Sequence, residues 1–190
     1  MRIFITALCT DFIRADNLIS LGLAPEDETL PSAYIEITDV DKSECSKYVT
    51  ENVLPMLDHE KFGLVREQAA AVVQAWFARL PYRARDSLTI CVDHLSSWEA
   101  LILLLDKKIP LSMNLEPFDI RRDVATRAVI AAAKGKHDSA WMIKCAQQKY
   151  TAAFNSFMVD LGVTRSHALF DVMACRYGYL SAVRWLTANT

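Results

Sequence analysis

The feature that most constrains this chain is where its β-type sequence falls. Short apolar runs at residues 2–8, 17–24 and 32–38 crowd the start, a fourth lies at 87–92, and helix-period sequence fills most of the rest. In the third run Ala33, Ile35 and Ile37 alternate with Tyr34, Glu36 and Thr38, the two-residue period of a strand. Pro25 and Pro31 bracket the acids Glu26, Asp27 and Glu28, which breaks any regular element between the second and third runs. Three consecutive strands with short connections read as a β-meander. A later buried strand among helices extends that meander into a mixed β-sheet flanked by α-helices, an α/β fold.

The helical expectations follow from spacing and caps. Asp41 and Ser43 can start a helix that carries Tyr48, Val49, Val53 and Leu54 before Pro55. Residues 63–79 place Val65, Ala69, Val72, Val73 and Trp76 on one face. Ser96 and Ser97 open a helix with Leu101, Leu104 and Leu105, so Asp93 falls at a strand's end facing a helix start. Residues 121–157 read as mostly helical, and 167–186 as a last amphipathic helix after the break at Gly162.

No repeat or linker divides the 190 residues, and 52% hydrophobic content suffices for one core, so residues 1–190 are expected to form one domain. Five widely spaced cysteines without a C-x-x-C pair suggest neither disulfides nor a zinc site but buried thiols in a reducing compartment. No apolar stretch approaches the ~20 residues of a membrane span, and the N-terminal run is too short for a signal peptide. A cytoplasmic protein with no membrane partner is expected. With 21 basic and 23 acidic residues, the chain lacks the basic excess of a strong non-specific nucleic-acid binder, although a local basic groove stays open.

Chemistry concentrates in two places. His167 and Asp171 stand four residues apart at the start of the last helix, where helical spacing puts both on one face. An Asp so placed can hold a divalent cation while the His takes a proton from attacking water. An Asp in a first helical turn also complements the dipole, and a nearby His can simply hydrogen-bond. Asp93, at the end of the strand Thr89-Ile90-Cys91-Val92, can bring a second carboxylate to the same cleft, since open α/β sheets place their sites at strand ends. Trp76, Trp98, Trp141 and Trp185 lie within apolar helical faces and read as core rather than base-stacking platforms. The basic groups Arg79, Arg83 and Arg85, Arg121 with Arg122, and Lys134 with Lys136 can contact phosphates or simply solvate the surface. His94 reads as a neighbour of the site or exposed, and His59 and His137 as surface residues.

Several stretches, in order along nearly the whole chain, resemble the small RNase H-like 3′-5′ exoribonucleases of the DEDDh type found in bacteria, plasmids and phages. They are F-I-T-A-L-C-T-D-F (4–12), N-L-I-S-L-G-L (17–23), A-Y-I-E-I-T-D (33–39), E-N-V-L-P-M-L (51–57), I-C-V-D-H-L-S-S-W (90–98) and S-H-A-L-F-D-V-M-A-C-R (166–176). The resemblance implies an RNase H-like sheet, two catalytic Mg²⁺ or Mn²⁺ ions and a single-stranded nucleic-acid substrate. It assigns Asp93 and Asp171 to the metals and His167 to the general base.

The first strand departs from that pattern. Where the family carries an acid-x-acid pair that binds both metals, this chain has Thr6 and Leu8. A hydroxyl and an isobutyl group cannot replace two anionic oxygen donors, so metal binding is expected to be weak or absent. Asp11, Asp16 and the acids at 26–28 are the nearby candidates to compensate. Leu8 also removes like-charge repulsion and so can stabilise the sheet. Three functions stay open: an impaired or inactive pseudo-nuclease that binds nucleic acid or protein, an active metal-dependent exoribonuclease with altered ligation, and a protein-interaction subunit or inhibitor. A homo-oligomer is compatible with each.

Overall fold

Among the described residues six strands form one mixed sheet, in the order 63–64, 33–37, 18–25, 2–9, 89–92 and 118–119 across it. The computed structural model describes every residue except 12–14, 82–86, 107, 111–112, 115, 136, 163–166 and 190. Strands β1 (Arg2–Cys9), β2 (Leu18–Pro25) and β3 (Ala33–Ile37) are the expected antiparallel meander. Strand β5 (Thr89–Val92) then pairs parallel to β1, with Arg2, Ile3 and Phe4 opposite Thr89, Ile90 and Cys91. This is the RNase H-like arrangement the sequence led us to expect. No described helix is long and apolar enough to cross a membrane.

Two-residue strands close both edges: β4 (Gly63–Leu64) beside β3, and β6 (Phe118–Asp119) beside β5, both parallel to their neighbours. Neither was expected, because two residues carry no alternation. The four-residue helix α1 (His59–Phe62) precedes β4.

Alternation along each strand sends side chains to opposite faces. Ile3, Ile5, Leu21, Leu23, Ile35 and Ile90 pack against α2 (Arg66–Arg79) and α3 (Leu95–Leu105). Phe4, Ala24 and Cys91 point the other way, toward α4 (Ile120–Gly135), α5 (Ser139–Asp160) and α6 (Ala168–Ala188). Within α2 the buried residues are Ala69, Val73 and Phe77, while Val65 and Val72 of the expected face are exposed.

Helix α6 lies across β2 at its barest point. The residues of β2 that share this face are Ser20, Gly22 and Ala24, and a Cβ on Gly22 would stand 2.3 Å from the Ala168 carbonyl oxygen. Gly178 plays the same part between α6 and α5, where a Cβ would come 2.9 Å from the Tyr150 oxygen. Arg176, buried in α6, donates from Nη1 to the Pro25 carbonyl at 3.0 Å and so ties the helix to the end of β2.

Residues 121–157 are mostly helical, as expected, in two helices: α4 ends at Gly135, and Asp138 starts α5 by accepting from the Trp141 N–H at 2.7 Å. One helical expectation is corrected. Residues 41–56 hold short 3₁₀ and π turns, Lys42–Glu44, Val49–Val53 and Leu54–Met56, in place of one helix. The Asp41 carboxylate is spent on Ser43, and Pro55 cannot donate within a continued helix.

Of the tryptophans, Trp98 is buried, while Trp76 and Trp185 pack against the two cores as expected. Trp141 is instead 51% exposed. Arg83, Arg85 and Lys136 lie outside the described residues.

Candidate functional site

The C-terminal half of β1, the loop into α3 and the facing sides of α4, α5 and α6 enclose a cleft of about 370 Å³. Several local features open it here. The parallel pairing of β1 with β5 stops at Phe4, and β1 has a bulge between Leu8 and Cys9, which re-aims its last side chains. Ser97, in the first turn of α3, accepts from the Ala7 N–H at 3.1 Å and anchors that helix to the strand.

Thr6 and Leu8 both line the cleft, at the positions where the resemblance leads one to look for acids. Thr6 is 9% exposed, and its Oγ1 makes no hydrogen bond of normal geometry among the described residues. The Cys175 thiol of α6 lies beside it. Leu8 packs with Ile19, Val49 and Val53 in a small apolar cluster of its own.

Asp93 and Asp171 come from β5 and α6 to this same cleft, as expected, and Asp11 joins them. The Asp93 carboxylate does not stand alone. Arg121, in the first turn of α4, places Nη2 3.4 Å from Asp93 Oδ2 and 3.3 Å from His94 Nε2. The Arg121 side chain is 57% exposed and that of Asp93 15%, so a solvent-reaching cation covers a nearly enclosed anion. The basic pair at 121–122 was visible in the sequence, but nothing there showed that Arg121 would turn toward Asp93.

His167 is placed elsewhere. It is the N-cap of α6 with extended backbone, φ −127 and ψ 110; its carbonyl accepts from the Asp171 N–H at 2.9 Å, but its side chain leaves the helical face that Asp171 occupies. Its ring stacks on Tyr34 with centroids 4.4 Å apart and touches Phe170 at 4.6 Å, and it is not among the residues that line the cleft. Burial pulls its pKa below the ordinary imidazole value, and the Glu36 charge opposes that pull.

Glu36 belongs to a second polar cluster that the sequence did not reveal. Fully buried, it accepts from the Tyr34 hydroxyl at 2.8 Å and the Asp58 N–H at 3.0 Å, and His59 Nδ1 lies 3.8 Å from its other oxygen. His59 is therefore half-buried against a carboxylate rather than a plain surface residue.

The cleft interior is of low polarity. Burial raises the Cys175 thiol well above its ordinary pKa, with the charges of Asp93 and Asp171 adding to the effect. The Tyr150 hydroxyl is also raised, by burial first and then by Cys175 and Asp93, and it lies 3.5 Å from Cys175 Sγ.

The residues present do not fit a two-metal centre. Among the described residues no group of three or more His, Cys, Asp or Glu side chains is placed to hold a metal ion. Leu8 offers no donor, Thr6 only a neutral one, and Asp93 already faces a guanidinium. Asp11 reaches the cleft but does not complete a donor set. Two dications would need several anionic oxygens converging on a shared point. No family model matches this chain, nor does any curated protein sequence.

Proposed function

We propose that this chain is a 3′-5′ exonuclease-like protein in which nuclease chemistry has given way to binding. The observation that carries the reading is the makeup of the cleft. Two acids, Asp93 and Asp171, stand at the ends of the elements that carry catalytic acids in the DEDDh exonucleases. The strand between them offers Thr6 and Leu8, and Arg121 covers Asp93. A guanidinium at that carboxylate does electrostatically what a metal would, but it can neither polarise a phosphodiester by inner-sphere coordination nor lower the pKa of a bound water. His167, stacked on Tyr34, is then a packing residue.

The sign of the cleft bears on what is bound. Among the described residues that line the cleft, Asp11, Asp93 and Asp171 face one arginine, and without metal ions that excess of negative charge repels a bare phosphodiester strand. A protein partner that brings positive charge suits the cleft better. Tyr48, 45% exposed on its lining, gives that partner apolar contact at the rim.

The test is trimming of 5′-labelled single-stranded RNA and DNA by the full chain with Mg²⁺ or Mn²⁺. The proposal expects no ladder of shortened products. Metal-dependent trimming that vanishes in Asp171→Ala would overturn it in favour of an exoribonuclease with altered ligation.

A further inference from the structure

The cleft has the makings of a binding site for a particular chemistry, and Arg121 shows which. Among the described residues it is the one arginine or lysine that lines the cleft, and it reaches Asp93 from the solvent side on a mostly exposed side chain. The contact is long for an ion pair, 3.4 Å, and so is readily exchanged. Beneath it the cleft continues to Asp171 and to the enclosed hydroxyl of Thr6, which makes no normal hydrogen bond among the described residues. Apolar and aromatic side chains, Leu8, Val53, Tyr150 and Phe154, form the walls.

We infer that the cleft binds an organic cation on an apolar stem, a guanidinium or primary ammonium group that displaces Arg121 from Asp93. This rests on the binding reading above and names the ligand class for the same cleft. Acceptors and walls both fit. The Asp93 carboxylate accepts N–H donors once Arg121 leaves it, and the apolar lining takes methylene groups out of water. Aromatic rings beside a cation add attraction through their π-faces. A divalent metal demands several oxygens at fixed short distances, whereas an organic cation tolerates the loose arrangement present here. The volume of about 370 Å³ lies within the usual range of small-ligand pockets. Free amines and the Lys or Arg side chains of a protein share this chemistry.

The test is calorimetric titration of the full chain with agmatine, with a short arginine-rich peptide, and with sodium chloride at matched ionic strength. Saturable binding of agmatine or the peptide is expected. Arg121→Ala, which removes the internal competitor at an exposed position, should tighten it about fivefold. Asp93→Asn should weaken it at least about tenfold with the melting temperature little changed. Stronger binding of agmatine points to a free amine as the natural ligand, and stronger binding of the peptide to a partner's side chain. Either result supports the inference. No saturable binding of either probe, or weaker binding in Arg121→Ala, overturns it. Those results leave the absence of nuclease chemistry standing, because that is read separately from RNA and DNA trimming.

Discussion

Replacing Gly22 by alanine tests both the packing of the sheet and the placement of the cleft. The added Cβ would lie 2.3 Å from the Ala168 oxygen, 2.6 Å from its carbonyl carbon and 3.0 Å from the Leu169 nitrogen. All three are backbone atoms, so no side chain can swing aside. To restore ordinary contact distances, the first turn of α6 must lift off β2 by roughly 1 Å, and the neighbouring core contacts of Val172 and Ala168 lose part of their dispersion energy. We expect a destabilisation of about 3 kcal/mol, the upper part of the range for overpacked cores. At ~2–4 °C per kcal/mol for a chain of this size, that is a fall in melting temperature of about 6–12 °C. Differential scanning calorimetry reads it directly. A fall under about 2 °C would show that α6 does not sit on β2 as closely as described, and would remove the basis for placing Asp171 in the cleft.

Glu36→Leu should cost about 2–4 kcal/mol in urea unfolding, because it leaves the Tyr34 hydroxyl and the Asp58 N–H without their acceptor, while Glu36→Gln should cost under about 1. Since burial depresses the His167 pKa, the unfolded chain takes up that proton first as the pH falls. Stability should therefore drop as pH goes down through the unfolded imidazole's ~6.5 toward the lower folded value, and His167→Gln should flatten that part of a urea-midpoint profile. Cys91, pushed up to about 12 by burial, and the enclosed Cys175 should resist a thiol-specific disulfide reagent until the chain unfolds; fast labelling of either in the native state would contradict their placement. Asp138→Ala should destabilise by about 1 kcal/mol through loss of the α5 cap, read by thermal melting.

The sheet was legible where sequence period and burial agree. The alternation of Ala33, Ile35 and Ile37 and the apolar run into Asp93 placed β3 and β5, and the Pro25 to Pro31 stretch marked the turn between β2 and β3. Alternation alone does not show that Glu36 is buried, because β3 lies inside the sheet and His167, at the start of α6, covers that face. The helical content of residues 121–157 was legible, while the boundary between α4 and α5 has the weaker signal of a single Asp cap among helix-forming residues. In the cleft, Asp93 and Asp171 were found by position at element ends. Arg121 was not, since the direction of a long side chain at a helix start depends on which carboxylate the tertiary fold brings near. The pairing of His167 with Asp171 failed for a local reason: helical spacing applies only inside a helix, and His167 stands one residue before it.

The most direct test of the central claim is a calorimetric titration of the 190-residue chain with Mn²⁺. A cleft built from Thr6, Leu8 and an arginine-covered Asp93 should show no saturable uptake at concentrations where a carboxylate-rich two-metal site fills. Uptake of two Mn²⁺ per chain in the micromolar range, lost in Asp171→Ala, would contradict the account.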